Sequence, residues 1–252
     1  MGDPGFNYVD AIASHSAGFA AAASQADPLA PVASCPGWTV ADLVSHLTEV
    51  HWFWSTIVEE RLQEPPSDDL HPVSAKPDDL IPAFEAGADR LVRVLRAARD
   101  EEPVWTWAPS RHDVGFVRRH QVQEAAVHHW DAENALGREL TIGTRIAVDS
   151  ISEFLTFSVS SQADPADPPR QPLDGSFALS CTDAPVSWII SDGPVPGTVA
   201  FRELGSDEPA EVPVISATSS DLLLWLYKRV HVNASAVPID LTHRFRHLTF
   251  TD

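Results

Sequence analysis

Gln123-Glu124-Ala125-Ala126-Val127-His128-His129-Trp130-Asp131 is the stretch on which the fold and the chemistry of this chain turn. Read as helix, it advances about 100° per residue, so Glu124, His128 and Asp131 share one face. A carboxylate and an imidazole one turn apart can hold one metal ion between them if a third ligand arrives from elsewhere. Val44-Ser45-His46-Leu47, in another helix-like segment, offers that ligand in His46. By spacing alone the plainer alternatives stay open: His46 as a hydrogen-bonded mid-helix histidine, and Glu124 with His128 as a surface pair. Other histidines compete. His120 shares the face, but eight residues span about 12 Å of helix, so His120 and His128 do not reach one ion. His129 points roughly 100° away from His128, and His51 roughly 140° away from His46, directions that suit the surface of a bundle. Asp131 either holds the second ring nitrogen of a ligand histidine or is a solvated charge near the helix end.

Outward from this stretch, the fourth helix of the chain is expected from about Val114 to Leu136, stopped by Gly137. An Ala-rich first helix runs from about Tyr8 to Gln25 and ends in the breakers from Asp27-Pro28 to Pro31. Thr39 caps a second helix with Asp42 as its capping-box partner, and Leu43, Leu47, Val50 and Trp54 carry it at helical spacing to about Leu62. A third is expected from Asp78 or Asp79 to Arg99, with Leu80, Phe84, Leu91, Val94 and Leu95 on one side. Four helices with one long loop make an antiparallel bundle. Past residue 140 the pattern changes. A helix over Arg145–Ser160 and a linker at Asp164–Pro169 lead to short alternating runs at 176–180, 186–190 and 198–201, which read as strands. Thr218-Ser219-Ser220-Asp221 caps an apolar helix over Leu222–Val230, and a closing strand is expected near Phe245–Thr251. The fold class is α+β, divided into a helical bundle over 1–140 and a smaller α+β domain over 141–252.

Composition narrows the function. The 252 residues are 44% hydrophobic and 21% charged, as in a soluble globular protein, and the net charge is −19. That charge repels a phosphate backbone or an anionic membrane, so neither nucleic acid nor membrane is an expected partner. No apolar run reaches the roughly 18 residues that span a bilayer, and Met1 to Phe6 lack a basic stretch followed by an apolar one, so no secretion signal is expected. The two cysteines, Cys35 and Cys181, form no metal or disulfide pattern and are expected to be buried structural residues in a reducing, cytoplasmic setting. There is no Gly-rich phosphate loop, GxSxG elbow or HExxH. The tryptophans at 38, 52, 54, 105, 107 and 130 cluster in the helical half, most expected in the core and a minority lining a pocket.

Two motifs add a resemblance. Cys35-Pro36-Gly37-Trp38-Thr39-Val40-x-Asp42-Leu43-Val44-x-His46-Leu47 resembles the opening motif of the mycothiol-dependent maleylpyruvate isomerase family, whose N-terminal domain is a DinB-like four-helix bundle. The run from Arg119 through Glu124-x-x-x-His128-x-x-Asp131 resembles its second motif, and Thr182-Asp183-Ala184 with Trp188, and Ser219 to Arg229, resemble its smaller C-terminal domain. The resemblance implies a divalent metal, normally zinc, held by His46, Glu124 and His128. Two departures fall beside these ligands, at Gln123 and His120, and bear on the pocket. It further implies mycothiol as a thiol cofactor and a small electrophilic substrate, converted by cis–trans isomerisation or S-transfer. A low-molecular-weight thiol activated at a metal needs no nucleophilic side chain from the protein. Arg229 is the candidate catalytic residue for pairing a substrate carboxylate; its alternative is a cation that stabilises the end of its helix. The expected partners are the substrate and the thiol, with the protein a monomer or homodimer. The rival is a non-catalytic metal-binding or regulatory member of the same fold.

Overall fold

Three of the four helices of the N-terminal half begin where the sequence supplies a side-chain cap. In the computed structural model, which describes residues 5–67, 75–76, 79–159, 170–205 and 208–250, α1 spans Tyr8–Ala23, α2 Val40–Glu60, α3 Leu80–Ala97 and α4 Val114–Ala135. Asn7 caps α1 and Asp113 caps α4, each accepting from a backbone N–H three residues on. At α2 the full capping box forms: Thr39 Oγ1 accepts from Asp42 N, and Asp42 Oδ2 accepts from Thr39 N at 2.8 Å. Endings follow the same logic. Arg61 adopts a left-handed φ of 53° after α2, and Gly137 takes a φ of 69° after α4, where the absence of Cβ removes the steric cost.

Residues Met1–Ile142 form one compact unit. Within it α1 packs on α3 and α4, and α2 packs on the same two helices, so the four close into a bundle. Its core joins Phe19 of α1, Leu43 and Leu47 of α2, Phe84 of α3 and Ala132 of α4, all fully buried. Truncating one such side chain, as in Leu47→Ala, would cost about 2–5 kcal/mol. Arg118 on α4 ties off α3 by donating to the carbonyls of Leu95 and Ala98 while pairing with Asp100. Of the six tryptophans expected mostly in this core, only Trp54 is buried; Trp38, Trp52, Trp105, Trp107 and Trp130 are half-buried, large rings covering the bundle from its flanks.

Residues Gly143–Asp252 form the second unit. Helix α5 (Thr144–Phe157) precedes strands β1 (Ser176–Cys181), β2 (Ser187–Asp192), β3 (Val199–Glu203) and β4 (Val214–Ala217), followed by α6 (Ser219–Leu226) and α7 (Ile239–His247). The sheet order is β3-β2-β1-β4; β1 pairs antiparallel with β2 and parallel with β4. Trp188 is fully buried and donates from Nε1 to Ser152 Oγ of α5 at 3.2 Å. The protein is thus α+β. Three expectations are corrected here. Of the expected closing strand, residues 245–247 are the end of α7, because Leu241 and Phe245 fall one helical turn apart and Phe245 stacks on Trp225 and meets Phe177 edge-on. Among the described residues, a single bridge, Val159 to Thr249, is the strand pairing there. Strand β4 was not expected; its four residues are too short to show alternation. Helix α6 stops at Leu226 rather than Val230, with Lys228 left-handed at φ 64°. The linker expected at 164–169 lies outside the described residues. Among those described, no helix is long and apolar enough to cross a membrane.

Candidate metal centre

His46 is set by the capping box two turns before it and by its neighbours Leu43 and Leu47, which turn that side of α2 into the core. Its ring lies against Trp38, centroids 4.9 Å apart, and meets the ring of His128 nearly edge-on at 5.1 Å. On α4, Glu124 Oε2 lies 3.5 Å from His128 Nε2. One ligand atom from each of His46, Glu124 and His128 falls within 4.8 Å of the other two. The structure therefore brings together the three residues singled out in the sequence. Two imidazoles and one carboxylate are a donor set that suits zinc and similar divalent ions, with further positions left for small molecules.

The other face of the His128 ring is held as firmly. Nδ1 lies 2.9 Å from Asp131 Oδ2, and Asp131 is completely buried, not a solvated helix-end charge. Ser34 Oγ donates to Asp131 Oδ1 at 2.6 Å, and Cys35 Sγ sits 3.7 Å from Oδ2. With its Nδ1 proton given to a carboxylate, His128 presents Nε2 to Glu124 and His46, the arrangement that fixes the tautomer and orientation of metal-binding histidines. Cys35, His128 and Asp131 also converge within 4.8 Å. That set engages the nitrogen already bonded to Asp131, and we assign it to support from behind. Cys35 is half-exposed, against the expectation of burial, because it lies in the turn that lays Ser34 against Asp131. Cys181 is buried, and burial, then the Asp183 charge, push its thiol up to about 12.

Electrostatics lock the pair without an ion. Burial raises the Glu124 carboxyl, but the hydrogen bond and charge of His128, with His120 and His46, outweigh it and carry the group down to about 2. Burial likewise lowers His128, but Asp131 and then Glu124 outweigh it and carry it up to about 9. Two carboxylates thus clamp the His128 ring and favour its protonated form.

The remaining histidines divide. His120 Nε2 lies 4.0 Å from the second oxygen of Glu124, while its Nδ1 is 2.8 Å from Gln123 Nε2. Its ring stacks on Phe116 and meets Trp107 edge-on, centroids 5.4 and 5.2 Å away. The two positions that depart from the resembling family's pattern thus touch each other and back the carboxylate. His51 is not on the surface: it is 1% exposed, faces Phe84 at 5.1 Å, and its Nδ1 has no hydrogen-bond partner among the described residues. Helix α3 covers it, with Gly87 close against its Cβ, and burial drives its pKa down to about 3. His129 is half-buried against α1, not solvated. Arg229, in the second unit, donates from Nη1 to the Tyr227 carbonyl at 2.8 Å and lies over the Tyr227 ring, so it makes the helix-end contact raised as its alternative role. Ser34 was not anticipated, since its bond to Asp131 spans 97 positions and no local pattern signals it.

The first unit is thus a four-helix bundle that carries a partly buried His-Glu-His cluster, the form of a candidate metal-binding domain. Residues 9–133 match the family model of the mycothiol maleylpyruvate isomerase N-terminal domain, so the first unit carries a domain of that type. Two solved structures share the fold. A crystal structure of the mycothiol-dependent maleylpyruvate isomerase matches with a TM-score of 0.61 and 14% identity, covering 92% of this chain and 93% of its own. A histidine-to-alanine mutant of that isomerase matches at a TM-score of 0.60 and 13% identity, with the same coverage. No curated protein matches the chain significantly in sequence.

Proposed function

We propose that this protein is a zinc-dependent enzyme that uses mycothiol to isomerise, or to form an S-conjugate of, a small electrophilic substrate. The observation that carries the proposal is the convergence of His46, Glu124 and His128, with His128 pinned from behind by Asp131. These three would hold the ion. When bound, a divalent cation supplies Lewis acidity that lowers the pKa of a thiol reaching its open position. The chain's own part is positioning. Asp131 fixes the His128 tautomer, Ser34 fixes Asp131, and Trp38 fixes the His46 ring. Thiolate sulfur would add to the activated double bond of the substrate; rotation and expulsion of the same thiolate gives the trans isomer, whereas retention with protonation of the adjacent carbon gives the conjugate. Arg229 enters the proposal for its chemistry, as the guanidinium that would pair a substrate carboxylate; Arg229→Ala should then raise KM for a carboxylated substrate and leave a neutral one unaffected.

The first test is metal content by mass spectrometry, with His46→Ala alongside. About one equivalent of zinc in the parent and much less in the variant is expected. Mycothiol-dependent conversion of maleylpyruvate or a test electrophile is then expected in the parent alone. A protein that holds no metal after zinc loading and desalting would overturn the enzymatic reading in favour of a non-catalytic member. Turnover without added thiol would overturn the role of mycothiol.

A further inference from the structure

A second histidine pair lies on the side of α4 turned away from the His46 cluster. His15 of α1 and His129 of α4 face each other through Nδ1, 3.1 Å apart, with their rings inclined at 67°. Glu133, one turn beyond His129, places Oε1 at 3.8 Å from the opposite nitrogen, Nε2. That carboxylate, beyond hydrogen-bond distance and shared with Arg138 at 3.5 Å from its other oxygen, favours the proton on Nε2 by its charge and leaves the His129 Nδ1 lone pair turned to His15. Two nitrogens so spaced, each bonded to an ion at about 2.0–2.1 Å, subtend roughly 100° there, a normal ligand angle. The seat is shaped for the ring. Gly18, one turn after His15, has no Cβ; one built there would lie 2.2 Å from His129 Cε1. We propose that His15 and His129 form a second divalent-metal site, distinct from the first, with Glu133 as its outer support and water completing the shell. Two neutral imidazoles select borderline first-row ions, and among these affinity peaks at Cu(II).

The test uses Cu(II) as probe and counts equivalents bound to the full chain in four forms: parent, His46→Ala, His15→Ala and the double variant. The proposal expects His15→Ala to lose one equivalent in both backgrounds, whether or not His46→Ala changes the count. Failure of the first site is thereby separated from failure of this one. Glu133→Gln is expected to weaken Cu(II) binding about tenfold without changing the stoichiometry. The electron paramagnetic resonance spectrum of the His46→Ala protein with one equivalent of Cu(II) is expected to show coupling to two imidazole nitrogens, a readout that needs no change at His15. Equal counts with and without His15 would mean adventitious copper on surface histidines and would overturn the site. So would a spectrum without nitrogen coupling, leaving the pair as an N–H···N bond that packs two helices.

Discussion

His128 shows how one residue can carry both the site and its control. In the metal-free protein it is protonated well past neutrality, because Asp131 and Glu124 together overcome the cost of burying the charge. An ion can bind Nε2 only when a proton leaves the ring, so metal uptake at pH 7 should expel about one proton. Titration calorimetry in buffers of different ionisation enthalpy measures this directly, and a value near zero would contradict the clamped cation. His51 acts in the opposite sense. Its folded pKa of about 3 lies below its ordinary 6.5, so the unfolded chain takes up the proton first. Its contribution to stability is complete above 6.5 and is lost as pH falls towards 3, on the order of 5 kcal/mol over the whole span. Denaturant unfolding of the metal-free protein between pH 7.5 and 5 should show a decline that His51→Leu flattens.

At the scale of elements, the Thr39 capping box, the breakers and the 3.6-residue rhythm made α1 to α4 legible, with boundaries that differ from the structure by only a residue or two. Asn7, Thr39 and Asp113 each do locally what their chemistry suggests. Thr39→Ala should therefore destabilise the bundle by about 1 kcal/mol, read as a lowered midpoint in urea with unchanged slope; no shift would show the box to be ornamental. Where sequence was a poor guide, the cause lay in partners far along the chain. Strand β4 exists because β1 offers it an edge, and α7 is helical because Phe177 and Trp225 receive its apolar face. The three candidate ligands could be picked out because two of them sit four apart on one helix. Ser34, the burial of His51 and the meeting of His15 with His129 depend on which helices become neighbours, and no local spacing encodes that.

The molecule as a whole separates into two compact units, and every group of the His46 cluster, together with Ser34, Asp131 and His120, belongs to the first. A fragment covering residues 1–142 should accordingly bind zinc with about the stoichiometry of the full chain, measured after the same loading and desalting; a fragment that folds, by circular dichroism, but holds no metal would refute this. The net charge of −19 adds self-repulsion, which salt relieves. Gly18 carries a different kind of consequence. Helices α1 and α4 approach so closely there that one methyl group would act as a wedge between them, driven against the His129 ring. His129 and His128 are consecutive on the same helix, so the bundle contains a mechanical handle on its candidate metal centre: a single added carbon on α1, at a residue with no charge and no polar side chain, would change how firmly the wall that bears Glu124 and His128 is pressed into place.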